Sequence, residues 1–169
     1  AGLKTGSLFS CPYSSQKMII KEIREFNQKL TQKGIRIIPV RISDKRMLVY
    51  VYRPEKLKED FSDEKTQIIL KCKGYDCTNL SQCICRLIQK LQSDPDFPHE
   101  IGLFLGYPAE DVKGFIENKA ACSKCSGCWK VYGDEQAARI LFKKYKKCTE
   151  IYCRRWKSGV AVEQLTITI

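Results

Sequence analysis

The stretch from Asp134 to Trp156 constrains the fold of this chain more than any other. Leu141, Tyr145, Cys148 and Tyr152 recur at helical spacing along one stripe, while Arg139, Lys143, Lys146, Lys147 and Arg154 populate the other faces. This pattern predicts one long amphipathic helix that must bury a single side. Asp134, directly after Gly133, is its expected N-cap.

The rest of the chain mixes both periods. Ile19, Ile23, Phe26 and Leu30 predict a helix from Ser15 to Lys33, stopped by Gly34. IRIIPVRI and RMLVYVYR are rich in β-branched and aromatic residues and read as two strands, joined by a polar turn from Ser43 to Lys45. Pro39 makes the first of them an edge or bulged strand. Pro54 opens a short helix as its first residue. Further helices are expected near Asp63 to Lys73, ended by Gly74 and the YDCTN loop, and along the face of Leu80, Ile84, Leu87, Ile88 and Leu91, ended by SDPDFP.

HEIGLFLGYP is a short apolar run between Pro98 and Pro108 and reads as a buried strand. Pro108 then starts a helix to about Asn118, with Glu110 and Asp111 in the first turn, where acids suit the helix dipole. CWKVY reads as a strand, and the tail VEQLTITI as an edge strand. Helices and strands do not alternate regularly, which favours α+β over a doubly wound parallel sheet. The expected architecture is a single domain over residues 1–169, a small, mostly antiparallel sheet packed by amphipathic helices.

Composition narrows the function classes. At 169 residues and 43% apolar, the chain is long enough for one domain with a real core. No apolar run approaches a membrane span, and no signal-peptide pattern is present, so no membrane role is expected. Thirty Lys and Arg against nineteen Asp and Glu give a net charge of +11, which would attract nucleic acid or an acidic partner. The densest basic stretch, Lys143 to Lys157, lies on the last helix.

Ten cysteines is a high count for this length. Several fall on apolar helix faces, and the chain can fold without staples, so reduced thiols in a cytoplasm are expected. The densest group is Cys122, Cys125 and Cys128, in ACSKCSGCWKVYG. A Cys-x-x-Cys-x-x-Cys run brings three soft thiolates to one point of backbone, as zinc or an iron–sulfur cluster requires, and Gly127 permits a tight path there.

A fourth ligand must come from elsewhere. Cys148 and Cys153 on the last helix are the candidates, together with His99, the sole histidine. Cys148 lies about 20 Å along that helix from its start, so the CWKVY strand must fold the chain back for the thiols to meet. A loop with ordinary thiols, or a redox-active pair, is the competing reading.

Other signals are weaker. Cys72, Cys77, Cys83 and Cys85 form a second group, but Cys83 sits near an apolar helix face and Cys85 points away from it. His99 and Glu100 could act as an acid–base pair, though a structural histidine is the simpler reading. GLFLGYP lacks a phosphate-loop pattern, and no nucleophile elbow or HExxH is present. Trp129 and Tyr132 flank the cysteine run and are expected to pack it.

The segments PHEIGLFLGYPAEDVKGFIEN, GCWKVYG and KKYKKCTEIY, with the opening AGLKTGSLF and the closing VEQLT, together resemble an uncharacterised domain-of-unknown-function family from anaerobic bacteria, mostly clostridial relatives. The resemblance covers nearly the whole chain. It implies a single-domain cytoplasmic α+β protein of unassigned activity. It also implies a short preceding segment with a cysteine and a Pro-Thr-Leu, which this chain is expected to lack. Within the family's pattern cysteine is favoured at the positions of Cys128 and Cys148, with more variation at Cys122 and Cys125.

The expected function is accordingly a cysteine-rich metal or iron–sulfur protein with Cys122, Cys125, Cys128 and Cys148 as ligands. The alternatives are a nucleic-acid-binding module using the basic C-terminal helix, or a thiol-dependent enzyme with a cysteine near His99.

Overall fold

Three strands organise the N-terminal half. In the computed structural model, which describes residues 1–93 and 97–168, β1 (Gly6–Pro12), β2 (Arg36–Ile42) and β3 (Arg46–Tyr52) form an antiparallel sheet of order β1-β3-β2. β2 and β3 are the expected hairpin. Pro39 sits on an edge strand beside a register shift between Pro39 and Arg41, as its missing N–H demands. β1 pairs along its whole length with β3, from Gly6 opposite Tyr52 to Pro12 opposite Arg46. The sequence pattern did not mark β1, because Leu8 and Phe9 are adjacent rather than alternating and its other residues are small or polar.

The central strand β3 divides its side chains between two cores, as period-2 alternation requires. Met47 and Val49 pack with Ile23 of α1 (Gln16–Leu30) on one face. Tyr50, with Leu48 and Tyr52 beside it, faces the main core on the other. α1 begins at Ser15, whose hydroxyl accepts from the Met18 N–H. A 3₁₀ turn (Thr31–Lys33) follows and ends at Gly34, whose φ of 71° is a conformation that glycine adopts without strain. Asn27 of α1 exchanges two hydrogen bonds with Ile37, at 2.7 and 2.8 Å, and so occupies backbone groups on the outer edge of β2.

The main core is closed by short helices. α2 (Pro54–Ser62) starts on Pro54 as expected, and α3 (Glu64–Cys72) is capped by Asp63, which accepts from Thr66 N at 2.8 Å. α4 (Leu80–Ser93) buries Cys83, Ile84, Leu87 and Leu91. The expected terminator SDPDFP includes residues 94–96, outside the described residues.

HEIGLFLGYP departs from expectation. It forms α5 (Ile101–Phe104), a single helical turn with all four residues buried, not a strand. A short apolar run buried on every side has no periodicity to separate the two states. Its end is fixed to the sheet by the Tyr50 hydroxyl, which donates to the Phe104 carbonyl at 2.5 Å.

α6 (Ala109–Glu117) follows Pro108, and a hairpin of two very short strands, β4 (Cys125–Ser126) and β5 (Lys130–Val131), comes next. The expected CWKVY strand is thus reduced to its Lys130–Val131 centre. α7 (Glu135–Lys157) is the long helix, capped by Asp134 accepting from Ala137 N at 3.0 Å. The tail is a second correction: VEQL forms α8 (Val162–Leu165), a helical turn that buries Leu165 and brings Glu163 to Lys29 at 2.6 Å. Among the described residues no helix is long and apolar enough to cross a membrane. The architecture is α+β, with a small antiparallel sheet and a majority of helix.

Candidate thiol site at the β4–β5 hairpin

The hairpin is too short to hold itself. Two residues pair with two, Cys125 opposite Val131 and Ser126 opposite Lys130. What fixes it is a carboxylate on the neighbouring helix. Asp111 in the first turn of α6 is buried, and its Oδ2 accepts from the Trp129 indole N–H at 2.7 Å. Its Oδ1 accepts from the backbone N–H groups of Tyr132 at 2.7 Å and Gly133 at 2.8 Å. Three donors thus converge on one buried carboxylate, in charge-assisted bonds of the stronger kind.

Aromatic packing completes the clamp. The Trp129 ring stacks on Tyr107 at 4.6 Å and meets Phe142 edge-on at 4.7 Å. Gly127 is required here for space: a Cβ at that position would lie 2.3 Å from the Phe142 ring. Its role is therefore close approach of α7, where the sequence suggested a tight backbone path. Upstream, Lys119, Ala120 and Cys122 adopt left-handed φ of 47°, 65° and 58°. That stretch of non-glycine residues stores strain next to the cysteine run.

The thiols occupy distinct environments, and all ten are free. Cys122 is exposed in the strained turn. Cys125 is half-buried and packs on the cluster of Trp129, Val131, Ala138 and Tyr145. Cys128 is exposed at the hairpin tip and stands between two depressions. On one side is a cavity of about 340 Å³ lined by Phe97, His99, Tyr107, Phe115 and Trp129 among others. On the other is an open groove between α7 and the segment leading into β1, which Cys148 also lines.

The four expected metal ligands are therefore not brought together as a set. Among the described residues no three His, Cys, Asp or Glu side chains are grouped to hold a metal ion. The reason is the hairpin, which turns Cys125 onto the apolar cluster while Cys128 stands at the tip. Of the four, Cys128 and Cys148 line the same groove.

The surroundings of Cys128 are electrostatically coupled to it. The Tyr107 hydroxyl reaches the Cys128 carbonyl at 3.5 Å. Burial raises the Tyr107 phenol above its ordinary value, with the charge of Cys128 adding to it. Burial, then Cys128, then Tyr107 push the Tyr145 phenol up to about 12. Both phenols thus stay neutral around pH 7. His99 is exposed and meets Phe115 edge-on at 5.0 Å.

His99 and Glu100, weighed in the sequence only as a weaker alternative to a structural histidine, are set in different surroundings. Glu100 is buried, accepts from Lys90 at 2.7 Å and from the Tyr75 hydroxyl at 3.0 Å, and is thereby a core anchor. In the second cysteine group, Cys83 lies in the main core and Cys77 packs against it. Burial raises the Cys83 thiol to about 11, with the charges of Cys77 and Asp76 adding to it, and Cys83 donates to the Asp76 carbonyl at 2.8 Å. Burial also raises Cys77. Cys72 and Cys85 are exposed.

The sequence model of a family described as "Protein of unknown function (DUF3793)" matches residues 1–166. The chain belongs to this family. No curated protein and no solved structure gives a significant match. The DUF3793 assignment agrees with the resemblance carried by the sequence motifs and attaches no activity to the hairpin site. Within this member, Asp111 and Tyr107 are the site residues that sequence reasoning missed. Asp111 looked like a helix-dipole acid beside Glu110, and no spacing rule separates a solvated first-turn acid from a buried clamp.

Proposed function

We propose that the protein acts through the Cys128 thiol, as a thiol-dependent enzyme on electrophilic substrates with an apolar or aromatic body. The observation that carries this reading is that Cys128 and the chain's sole imidazole, His99, line the same aromatic-walled cavity. An apolar pocket with a few converging polar groups is where a ligand binds by default. In this reading Phe97, Tyr107, Phe115 and Trp129 hold the apolar part of the substrate. The Cys128 sulfur attacks a carbonyl carbon, a C–S bond forms, the bond to the leaving group breaks, and His99 takes the thiol proton. Ten free thiols suit a reducing compartment such as the cytoplasm.

The test is acyl transfer from p-nitrophenyl acetate, followed by peptide mapping. Release of p-nitrophenolate with an acetyl group on Cys128, and loss of both in Cys128→Ser, is expected. Acetylation spread evenly over the exposed cysteines Cys72, Cys85, Cys122 and Cys153 would refute the reading.

A second reading rests on the shared groove. Cys128 and Cys148 are two soft donors, a set suited to a two-coordinate soft ion such as Cu(I). The broader zinc or iron–sulfur role would require two more donors from outside these thiols. Titration with Cu(I) under anaerobic conditions distinguishes the two-thiol case: stoichiometric binding lost in both Cys128→Ser and Cys148→Ser supports it, and binding unchanged in either variant removes it.

A further inference from the structure

The long helix α7 is used on one side only. Ala138 and Tyr145 are its only buried residues among those described, with Leu141, Phe142 and Cys148 half-buried beside them. Each residue turns the helix by about 100°, so Lys143, Lys147 and Arg154 fall within a narrow strip opposite Tyr145. All three are exposed. Arg139, Lys146 and Lys157 border the strip on one side and Lys144 on the other.

The charge on this surface is lopsided. α7 carries eight Lys and Arg against Glu135 and Glu150, a net of +6 out of the chain's +11. Among the described residues one ion pair involves α7, Arg139 with Glu135 at 2.6 Å. The strip from Lys143 to Arg154 therefore presents mainly cations to solvent over about 16 Å of helix, with the exposed Glu150 at its margin as the one opposing charge.

We propose that this outer face of α7 docks on the phosphate backbone of double-stranded nucleic acid. A duplex carries about one negative charge per 1.7 Å of its axis, so several phosphates lie within reach of the strip at once. A rigid helix matches the groove-bounded surface of a duplex. The face lacks the aromatic platforms that single strands stack on, because Tyr145, Tyr152 and Trp156 lie on the opposite stripe. Between Lys143 and Arg154 it carries no Asn or Gln, with Gln136 one turn or more beyond that strip, so contact there is with phosphates and carries little sequence preference. A membrane surface is a poorer match. The apolar side chains exposed on this face, Ile140 and Ile151, are eleven positions apart, which leaves no continuous stripe to insert.

The experiment is fluorescence anisotropy with a labelled duplex DNA of about 20 base pairs and an RNA duplex of the same length. About four to five phosphate contacts predict that affinity falls roughly 10²–10³-fold between 50 and 200 mM salt. Combined Lys143→Glu, Lys147→Glu and Arg154→Glu should abolish binding, and the corresponding alanine variant should weaken it at least tenfold. Lys17→Glu, Lys21→Glu and Arg24→Glu on α1, with the same charge change, should leave most of it. Far-UV circular dichroism confirms that each variant is folded. Tighter binding to a single strand of the same length, equal loss from the α1 variant, or binding only to phosphatidylserine vesicles would each overturn the proposal.

Discussion

Replacing Asp111 with alanine removes the acceptor for three donors at once. The Trp129 indole N–H and the Tyr132 and Gly133 backbone N–H groups all point at this one carboxylate, at 2.7, 2.7 and 2.8 Å. Asp111 and Trp129 are both buried, so water does not readily take over. An unsatisfied buried donor costs about 1–3 kcal/mol. Three of them set a ceiling near 9 kcal/mol, and local relaxation reduces it, so a loss of about 3–5 kcal/mol is expected. For a chain of this size about 1 kcal/mol shifts Tm by roughly 2–4 °C, which places the drop at roughly 6–20 °C.

The assay is urea unfolding followed by both far-UV circular dichroism and tryptophan fluorescence, since Trp129 reports the clamp directly. Trp129→Phe, which removes one donor of the three, should lose about 1–3 kcal/mol and couple strongly to Asp111→Ala in a double-mutant cycle. A loss below about 1 kcal/mol for Asp111→Ala, or additive effects of the two substitutions, would refute the reasoning that this carboxylate holds the hairpin.

Three further outcomes follow from the same geometry. Burial alone would raise the Glu100 carboxyl, but its hydrogen bonds, those from Lys90 and Tyr75 among them, outweigh burial and hold it below its ordinary value of 4.5. Its contribution is therefore complete above that value and lost as pH falls through the lower folded-state value. Wild type should exceed Glu100→Gln in Tm at pH 7, with the gap closing toward pH 3; a gap constant with pH would contradict this. Gly127→Ala forces a Cβ to within 2.3 Å of the Phe142 ring and should cost about 1–3 kcal/mol by urea unfolding, with Phe142→Leu in the same chain recovering part of it. Ala120→Gly relieves the left-handed φ of 65° and should raise stability by about 0.5–1 kcal/mol, where Ala137→Gly on the exposed start of α7 should lower it.

Elements with strong period were legible in the sequence. The stripe of Leu141, Tyr145, Cys148 and Tyr152 is the inward side of α7, and the Ser15, Asp63 and Asp134 caps stand where local chemistry puts them. The β2–β3 hairpin and its proline bulge were equally readable. β1 was hidden because GSLFSCP is held by backbone pairing to β3, and its two large apolar residues, Leu8 and Phe9, are adjacent and show no alternation. α5 and α8 were misjudged as strands because four-residue turns have no period, and their state is decided by the tertiary contacts of Phe104 and Leu165.

The candidate site was half legible. Cys128 and Cys148 were in view, but the spacing of the cysteine run suggested convergence that the hairpin geometry does not provide. A two-residue strand turns Cys125 onto the Trp129 cluster, and no sequence rule registers so short a turn. The approach of His99 to the cavity beside Cys128 depends on α5 and α6 packing, which joins residues nearly thirty positions apart.

The most direct test of the account is the labelling rate of each thiol in the native chain with limiting iodoacetamide at pH 7, read by peptide mapping in wild type and His99→Ala. Cys128 should react fastest of the ten, and His99→Ala should slow it several-fold while leaving Cys72, Cys85, Cys122 and Cys153 unchanged. If Cys128 reacts no faster than those four exposed thiols, or if the loss of His99 leaves its rate the same, the proposed role of Cys128 is wrong.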